Sequence, residues 1–376
     1  MRVLFSSTSG HGHVIPMLQL GRAFRQAGHE LLWALSAASM PLVTDAGLDA
    51  VPAGAHGDDE RALRGAVLSQ AQQLPGEERP FFVFPRMFGE ALTPPMAADL
   101  LELADTWQPD LIVHDQAELA APLVGEVRGI PTVTHSFGTA VPPSILEETA
   151  TRLAGLWHSH GLEVLPYAGC YRSGYLDICP PSLQGGPLGH LTGVQRLRPV
   201  TVPGRGSRPP GDPLVYVTMG TAHNDAAVLR EVVDGVARLP VRVLVAVGPR
   251  IDPAALGSQP AHVRVEAWVD QLEVLSRTAV VVSHGGSGTF FGGLAHGLPQ
   301  LCLPQAADQF RNAEGGTRAG ASLALRPGEV SAESVREAVE RLLADPDLRA
   351  GAQRVAAEIA AMPSPESVAS LLASQR

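Results

Sequence analysis

Short apolar runs ending in small or polar residues recur along the chain, each followed by a longer stretch with apolar positions three and four apart. Residues 2–6 read as a buried strand. A glycine-bearing loop follows, Ser9-Gly10-His11-Gly12-His13, and then an apolar-periodic helix from Pro16 to Ala27. Pro16 in the first turn and Gly28 just beyond the end punctuate that helix as expected. Residues 30–34 return as a strand, which completes a strand–helix–strand unit of a parallel sheet. The same rhythm predicts strands at 110–114 and 132–136 with a helix over about 117–128 between them. Residues 53–95 break the rhythm, with Gly, Asp, Gln and Pro around the apolar Phe81-Phe82-Val83-Phe84, and are expected to drape helices and loops over the sheet's edge.

Between 197 and 213 Pro and Gly are too dense for a helix or a central strand, so a linker is expected there. The α/β rhythm then restarts, with strands predicted at 214–218, 242–247, 280–283 and 300–303 and helices after Asp225, Gly288, Asp308 and Ser331. A short helix is expected over 365–374. The pattern predicts an α/β protein of two Rossmann-like, doubly wound domains facing a central cleft, where the carboxyl ends of the strands bind ligands. The expected boundaries are a first domain over 1–200, a linker over 201–212, a second domain over 213–360, and a helix over 361–376 crossing back to the first domain. No internal sequence repeat is detectable.

Composition narrows the chemistry. The formal net charge is −10 and no basic run occurs, which argues against nucleic acid as a partner. All 28 cationic side chains are Arg, so a catalytic Lys, a Schiff base and a phosphate-binding Walker Lys are excluded. No stretch reaches the roughly 18–20 apolar residues of a membrane span, and no cleavable leader is visible, so a cytoplasmic protein is expected. Cys170, Cys179 and Cys302 have neither CxxC spacing nor an evident pairing and read as reduced. His158 and His160 are two apart, face different ways on a helix and have no third ligand near, so no metal site is expected.

The strongest chemical signal is Ser283-His284-Gly285-Gly286-Ser287-Gly288-Thr289, placed after a strand and opening a helix. Glycines let backbone amides approach an anion, the helix N-terminus adds partial positive charge, and Ser287, Thr289 and His284 add side-chain donors. Such a loop would hold a diphosphate without metal or Lys; the alternative is a tight turn with a capping hydroxyl. A dinucleotide fingerprint fails because Phe291 stands where its third Gly belongs, and a nucleophile elbow fails because Thr289 stands where its last Gly belongs. Further on, Asp308 and Gln309 follow a strand, and an acceptor carboxylate beside an amide suits adjacent sugar hydroxyls. Asp308 could equally cap its helix.

At this point the chain resembles a known family. The stretch from His284 to Thr289, the Pro299-Gln300 pair and the run PQAADQFRNA are similar to the donor-site signature of inverting GT-B glycosyltransferases of family 1, above all bacterial (actinomycete-type) enzymes that decorate polyketides and other natural products. The likeness spans nearly the whole chain, because Gly12-His13-Val14-Ile15-Pro16 matches the family's N-terminal Gly-His-x-x-Pro loop.

The resemblance implies roles residue by residue. His13 matches the general base that takes the acceptor's proton, and Asp115 the carboxylate that orients it and stabilises its charged form. The implied donor site comprises Gly12, Gly220, Thr221, Trp268, Val269, Gln271, His284, Gly286, Ser287, Gly288, Thr289, Asp308 and Gln309. Trp268 would lie by the nucleotide base unless it is a buried structural residue. The family's usual Pro is Asp270 here. Gly292 stands where relatives using UDP-sugars often carry a ribose-binding Glu, which implies a dTDP-sugar donor, with UDP-sugar as the alternative. Phe81, Phe82, Phe84, Phe88 and Phe137 are candidates for the wall that binds an apolar aglycone.

The implied reaction is a single displacement with inversion, needing no metal and no cofactor besides the nucleoside-diphosphate sugar as co-substrate. Hydroxyl, carbon, amine or oxime nucleophiles are all compatible. The expected partners are the dTDP-sugar and the aglycone, with the chain a monomer or homodimer. Two other readings share the fold: a nucleotide-sugar epimerase, and a non-catalytic protein that activates a glycosyltransferase.

Overall fold

In a computed structural model the described residues are 1–186, 188–191, 193–199, 212–220, 226–248 and 251–375. They form two compact α/β units. The first comprises 1–179, 186–198 and 363–376, and the second 180–185 and 199–362. Residues 201–211 of the expected linker and the candidate Thr221 lie outside the described residues.

The first unit is built on β1 (Arg2–Ser6), β2 (Glu30–Leu35), β3 (Ala50–Pro52), β4 (Leu111–Asp115), β5 (Thr132–His135), β6 (Tyr175–Asp177) and β7 (Val194–Arg196). All pairs are parallel, in the order β3-β2-β1-β4-β5-β6-β7. The second unit carries β8 (Leu214–Thr218), β9 (Arg242–Ala246), β10 (Val263–Glu266), β11 (Val280–Ser283), β12 (Gln300–Cys302) and β13 (Ser322–Ala324), again all parallel, in the order β10-β9-β8-β11-β12-β13. Both sheets are doubly wound, as the alternation of apolar runs and amphipathic stretches predicts. In each the winding reverses beside the first strand, between β1 and β4 and between β8 and β11. At such a reversal the flanking loops diverge and leave a crevice at the carboxyl ends of the strands.

The central strands are continuous apolar runs because helices cover both faces. Val3, Leu4 and Phe5 of β1 and Val280, Val281 and Val282 of β11 are buried. Three-residue strands such as β3, β6, β7 and β13 carry too little pattern to stand out in the sequence. The segment 53–95 folds as helices Gly57–Ala71 and Arg79–Phe84, a π-helical turn Pro85–Ala91 and the start of helix Thr93–Trp107. The helix Pro365–Ser374 packs on helix His11–Gln26 of the first unit, with Val368 and Ala369 buried.

One expected boundary is corrected. Gly10-His11-Gly12-His13 reads as a loop, yet the helix begins at His11. Gly10 has φ of 120°, which lets the chain turn sharply out of β1, and Pro16 falls inside the helix rather than in its first turn. His13 therefore sits on a helical turn rather than on a loop.

Candidate active site

In the first unit, His13 and Asp115 come from the two sides of the winding reversal. Asp115 is the last residue of β4, and His13 lies in the first turn of the helix after β1. His13 Nδ1 lies 2.8 Å from Asp115 Oδ2. The carboxylate is buried to 1% exposure and also accepts from Thr8 Oγ1 at 3.0 Å. A carboxylate oxygen can only accept, so Nδ1 carries the proton and Nε2 is left as the basic nitrogen. The imidazole is one-fifth exposed, 21%, so a small molecule can reach it.

Aromatic rings fix the imidazole's other sides. Phe88 lies 5.5 Å from the His13 ring and Phe137 lies 5.1 Å from it, while Phe84 packs at a tilt against Phe88 at 5.1 Å. Phe88 stands on the π-helical turn, whose carbonyl at Phe88 accepts from Thr93 Oγ1 at 2.6 Å. Gly89 beside it faces Thr149, and a Cβ there would come to 2.8 Å of the Thr149 methyl. Of the other candidates for the aromatic wall, Phe82 lies under the Arg86 guanidinium at 3.9 Å and Phe81 is half exposed; the ring contacts of His13 are with Phe88 and Phe137.

Sequence reasoning overlooked Glu60. It is buried on helix Gly57–Ala71 and receives Ser9 Oγ, Ser36 Oγ and Arg64 Nε. Burial alone would push its carboxyl up, yet the Ser36, Ser9 and Arg64 donors hold it below the usual carboxylate range. Ser9 and Gly10 lead into the His13 helix, and the Gly10 amide donates to Ser39 Oγ at 3.0 Å, so the turn is fastened on both sides. The available signal was phase: Glu60 falls in register with the buried Val67 and Ala71.

Beneath His13 lies a second layer of buried titratable groups. The Glu118 carboxyl group accepts from the amides of Ala120 and Ala121, and the Glu118 backbone carbonyl receives His114 Nδ1 at 2.8 Å. Burial pushes Glu118 up to about 7 and pulls His114 and His135 down to about 4.

In the second unit the loop from His284 opens the helix Ser287–Ala295, directly after β11. Gly220, ending the turn after β8, and Gly286 both face the His284 imidazole. A Cβ at Gly220 would stand 2.5 Å from His284 Cε1, and one at Gly286 would stand 2.4 Å from Nε2. Gly220 and Gly285 have φ of 76° and 81°, in the left-handed region. The first helical turn leaves the amides of Ser287, Gly288 and Thr289 without intrahelical acceptors, and Gly288 is exposed.

Ser287 Oγ donates to Asp308 Oδ2 at 2.6 Å and Thr289 Oγ1 to Gln271 Oε1 at 3.1 Å, while the amides of the first helical turn stand at the loop's surface. Asn312 Nδ2 joins the Gly285 carbonyl, Ser287 Oγ and Asp308 Oδ2 in one network. Gln309 is buried, and its Oε1 receives the amides of Gln305 and Ala306, which anchors the loop.

Trp268 is 65% exposed, which discards the buried structural alternative. Val269 packs on the apolar cluster around Leu214 and Tyr216. Asp270, in place of the family's Pro, caps helix Gln271–Arg277 by accepting from the amides of Leu272 and Glu273. Gly292 is packed against Leu275 and Gln271. Gly12 is exposed, with open space around the position of a Cβ. Among the described residues no group of three His, Cys, Asp or Glu side chains is arranged to hold a metal, and no helix is long and apolar enough to cross a membrane. The three cysteines are buried and unbridged.

Comparison with known proteins gives these two sites a context. Residues 22–184 match the erythromycin biosynthesis protein CIII-like N-terminal domain and residues 230–374 its C-terminal domain. The chain is 33% identical over 386 residues to L-demethylnoviosyl transferase of Streptomyces niveus, covering 100% of this chain and 98% of that one. It is 31% identical to the elloramycin glycosyltransferase of Streptomyces olivaceus, covering 99% and 97%. Among solved structures, the glycosyltransferase VinC in complex with dTDP superposes with a TM-score of 0.82 at 25% identity, covering 99% and 98%. The spinosyn rhamnosyltransferase SpnG complexed with spinosyn aglycone gives 0.82 at 26%, covering 99% and 100%. Matched from end to end by enzymes of antibiotic pathways, and wound in both sheets as GT-B enzymes are, the chain belongs to the erythromycin biosynthesis protein CIII-like family and is a glycosyltransferase.

Proposed function

We propose that this glycosyltransferase moves a deoxysugar from a dTDP-sugar to a nucleophile of an apolar natural-product aglycone, with inversion at the anomeric carbon and without a metal. The observation that carries the reading is the His13–Asp115 pair, 2.8 Å apart, its imidazole edged by Phe88 and Phe137. Asp115 fixes the tautomer, so Nε2 of His13 takes the proton as the acceptor oxygen attacks the sugar. The bond to the diphosphate breaks on the opposite face, and positive character gathers on the sugar ring. Amides at the start of helix Ser287–Ala295 receive the negative charge left on the diphosphate. Trp268 supplies an exposed indole for the nucleotide base. The relatives' names support the substrate class: VinC is solved with dTDP and SpnG with spinosyn aglycone.

The test is a transfer assay with an α-configured dTDP-deoxysugar and an aromatic aglycone, its product read by the anomeric proton coupling in NMR. Inversion is expected; a product of retained configuration overturns the reading.

A further inference from the structure

One oxygen of Asp115 carries both of its bonds. Oδ2 accepts from His13 Nδ1 at 2.8 Å and from Thr8 Oγ1 at 3.0 Å. Oδ1 is buried and has no hydrogen-bond partner among the described residues. The histidines beside the carboxylate are turned elsewhere. His135, its neighbour in register on β5, directs Nδ1 to the Ser136 carbonyl at 2.6 Å. His114 directs Nδ1 to the Glu118 carbonyl at 2.8 Å and Nε2 to the Thr134 hydroxyl at 2.9 Å. Among the described residues, Thr8 is thus the one donor besides His13 that shares the charge of this buried carboxylate.

The Thr8 hydroxyl is held in place to do so. Thr8 is buried between two anchored residues. The Ser7 amide donates to the Ala34 carbonyl of β2 at 3.2 Å, and Ser9 Oγ donates to Glu60. A β-branched side chain on a fixed backbone has few χ1 options, so the hydroxyl keeps one direction. The chemistry needs this second donor. A buried carboxylate with a single donor strongly favours a charged imidazole beside it, and an imidazole that already carries both protons cannot take one from an acceptor. A hydroxyl on the same oxygen draws off part of its negative charge and weakens that pull.

We propose that Thr8 is a positioning residue for the base: its hydroxyl fixes Asp115 Oδ2 opposite His13 Nδ1 and moderates that oxygen's pull, which keeps Nε2 bare where the acceptor must be deprotonated. The inference rests on the reading of His13 as the base.

Other titratable groups face the pair from the surrounding elements. His114, Glu118, His135 and Cys170 feel the Asp115 charge. Burial pulls the two histidines down to about 4 and pushes the Cys170 thiol up, so these three stay neutral around neutral pH. Glu118, raised to about 7, changes charge there. Beside Ser9, Glu60 is paired with Arg64; on the π-helical turn Arg86 lies over Phe82 and Glu90 pairs with Arg152. His11 is exposed on the helix of His13. All of these are common to the protein and its Thr8 variants.

The test follows the His13 ring nitrogens by NMR against pH, in the full chain carrying isotope-labelled histidine, with the His13 signals identified by their loss in His13→Ala. Thr8→Val keeps the branched shape and removes the hydroxyl. In it the ring should gain its second proton at a pH higher by about 0.5–1 unit, a fraction of the worth of one hydrogen bond to a charged group. Thr8→Ser should titrate as the unaltered protein does. Thr8→Ala, which puts no methyl against the carboxylate, is measured beside them and decides the matter should Thr8→Val fail to fold. Because Glu118 titrates in the same range, the comparison is repeated in Glu118→Gln, where the same displacement is expected. No upward displacement in Thr8→Val or Thr8→Ala, its disappearance in Glu118→Gln, or an equal displacement in Thr8→Ser overturns the proposal. Wild-type turnover by His13→Ala is a separate failure, of the proposed function, and leaves the displacement standing.

Discussion

A Cβ at Gly220 would lie 2.5 Å from Cε1 of His284, so the turn after β8 is shaped around the imidazole that opens the loop after β11. The two strands are neighbours in register, Ser283 beside Thr218, which holds this approach rigid. Gly220→Ala is therefore expected to displace the ring and to weaken dTDP binding at least tenfold, beyond the roughly 1 kcal/mol that a side chain at positive φ costs by itself. Gly129→Ala is the control. Gly129 has φ of 67° and ψ of 29° with open space around it, so that variant should show the backbone cost alone. Equal dTDP affinity in the two variants would remove the role assigned to the His284 contact.

His13→Ala should bind dTDP as the unaltered protein does and lose about 10²–10⁴-fold in turnover, the usual contribution of a general base. Asp115→Asn leaves a shape of nearly equal size but can present an amide donor to Nδ1, which disfavours the tautomer with a free Nε2. A large fall in kcat with little change in donor KM is expected. Near-normal turnover by both variants on a hydroxyl acceptor would be incompatible with the pair acting as base and orienting group.

Glu118 makes stability depend on pH in a definite direction. In the unfolded chain it ionises near 4.5, while in the fold it stays protonated up to about 7. Between those values the unfolded state binds fewer protons, so the fold loses stability as pH rises, by roughly 3 kcal/mol in all. Glu118→Gln lacks this loss. Relative to the unaltered protein it should gain that amount between about pH 4.5 and pH 8, read from denaturant unfolding. His114 and His135, held down near 4, act the other way and lose stability as pH falls below their ordinary 6.5, but they are common to both proteins and cancel in the difference.

The proposed preference for a dTDP donor is tested at position 292, where a Cβ would meet the ends of two side chains, Leu275 Cδ1 at 3.1 Å and Gln271 Nε2 at 3.3 Å. Calorimetry is expected to show dTDP bound more tightly than UDP, and Gly292→Glu to lower stability without raising UDP affinity. Tighter binding of UDP by the unaltered protein would reverse the donor assignment.

Transfer should continue after exhaustive EDTA treatment. Activity that disappears and returns with Mg²⁺ would show that amides alone do not carry the diphosphate charge.

Much of this was legible in the sequence because the long central strands are apolar runs and the chemical residues sit at their ends. Asp115 and His284 each adjoin a run that can only be a buried strand. The short edge strands were not legible, since three residues carry no period. Nor was the start of the first helix, because Gly10, Gly12 and Pro16 together look like a loop, and only the φ of Gly10 shows how the chain turns. Side-chain commitments were beyond reach altogether. Ser287, Thr289 and Gln309 have the chemistry to bind a sugar nucleotide, yet the approach of their partners Asp308, Gln271 and Gln305 is set by the fold.

The helix Pro365–Ser374, seated on the helix that bears His13, also dictates an order of assembly. The first unit cannot be completed by the first half of the chain, since its last support is translated after the whole of the second unit. Loss of residues 365–374 would therefore strip cover from the helix that bears His13, although the whole second unit lies between the two in the sequence.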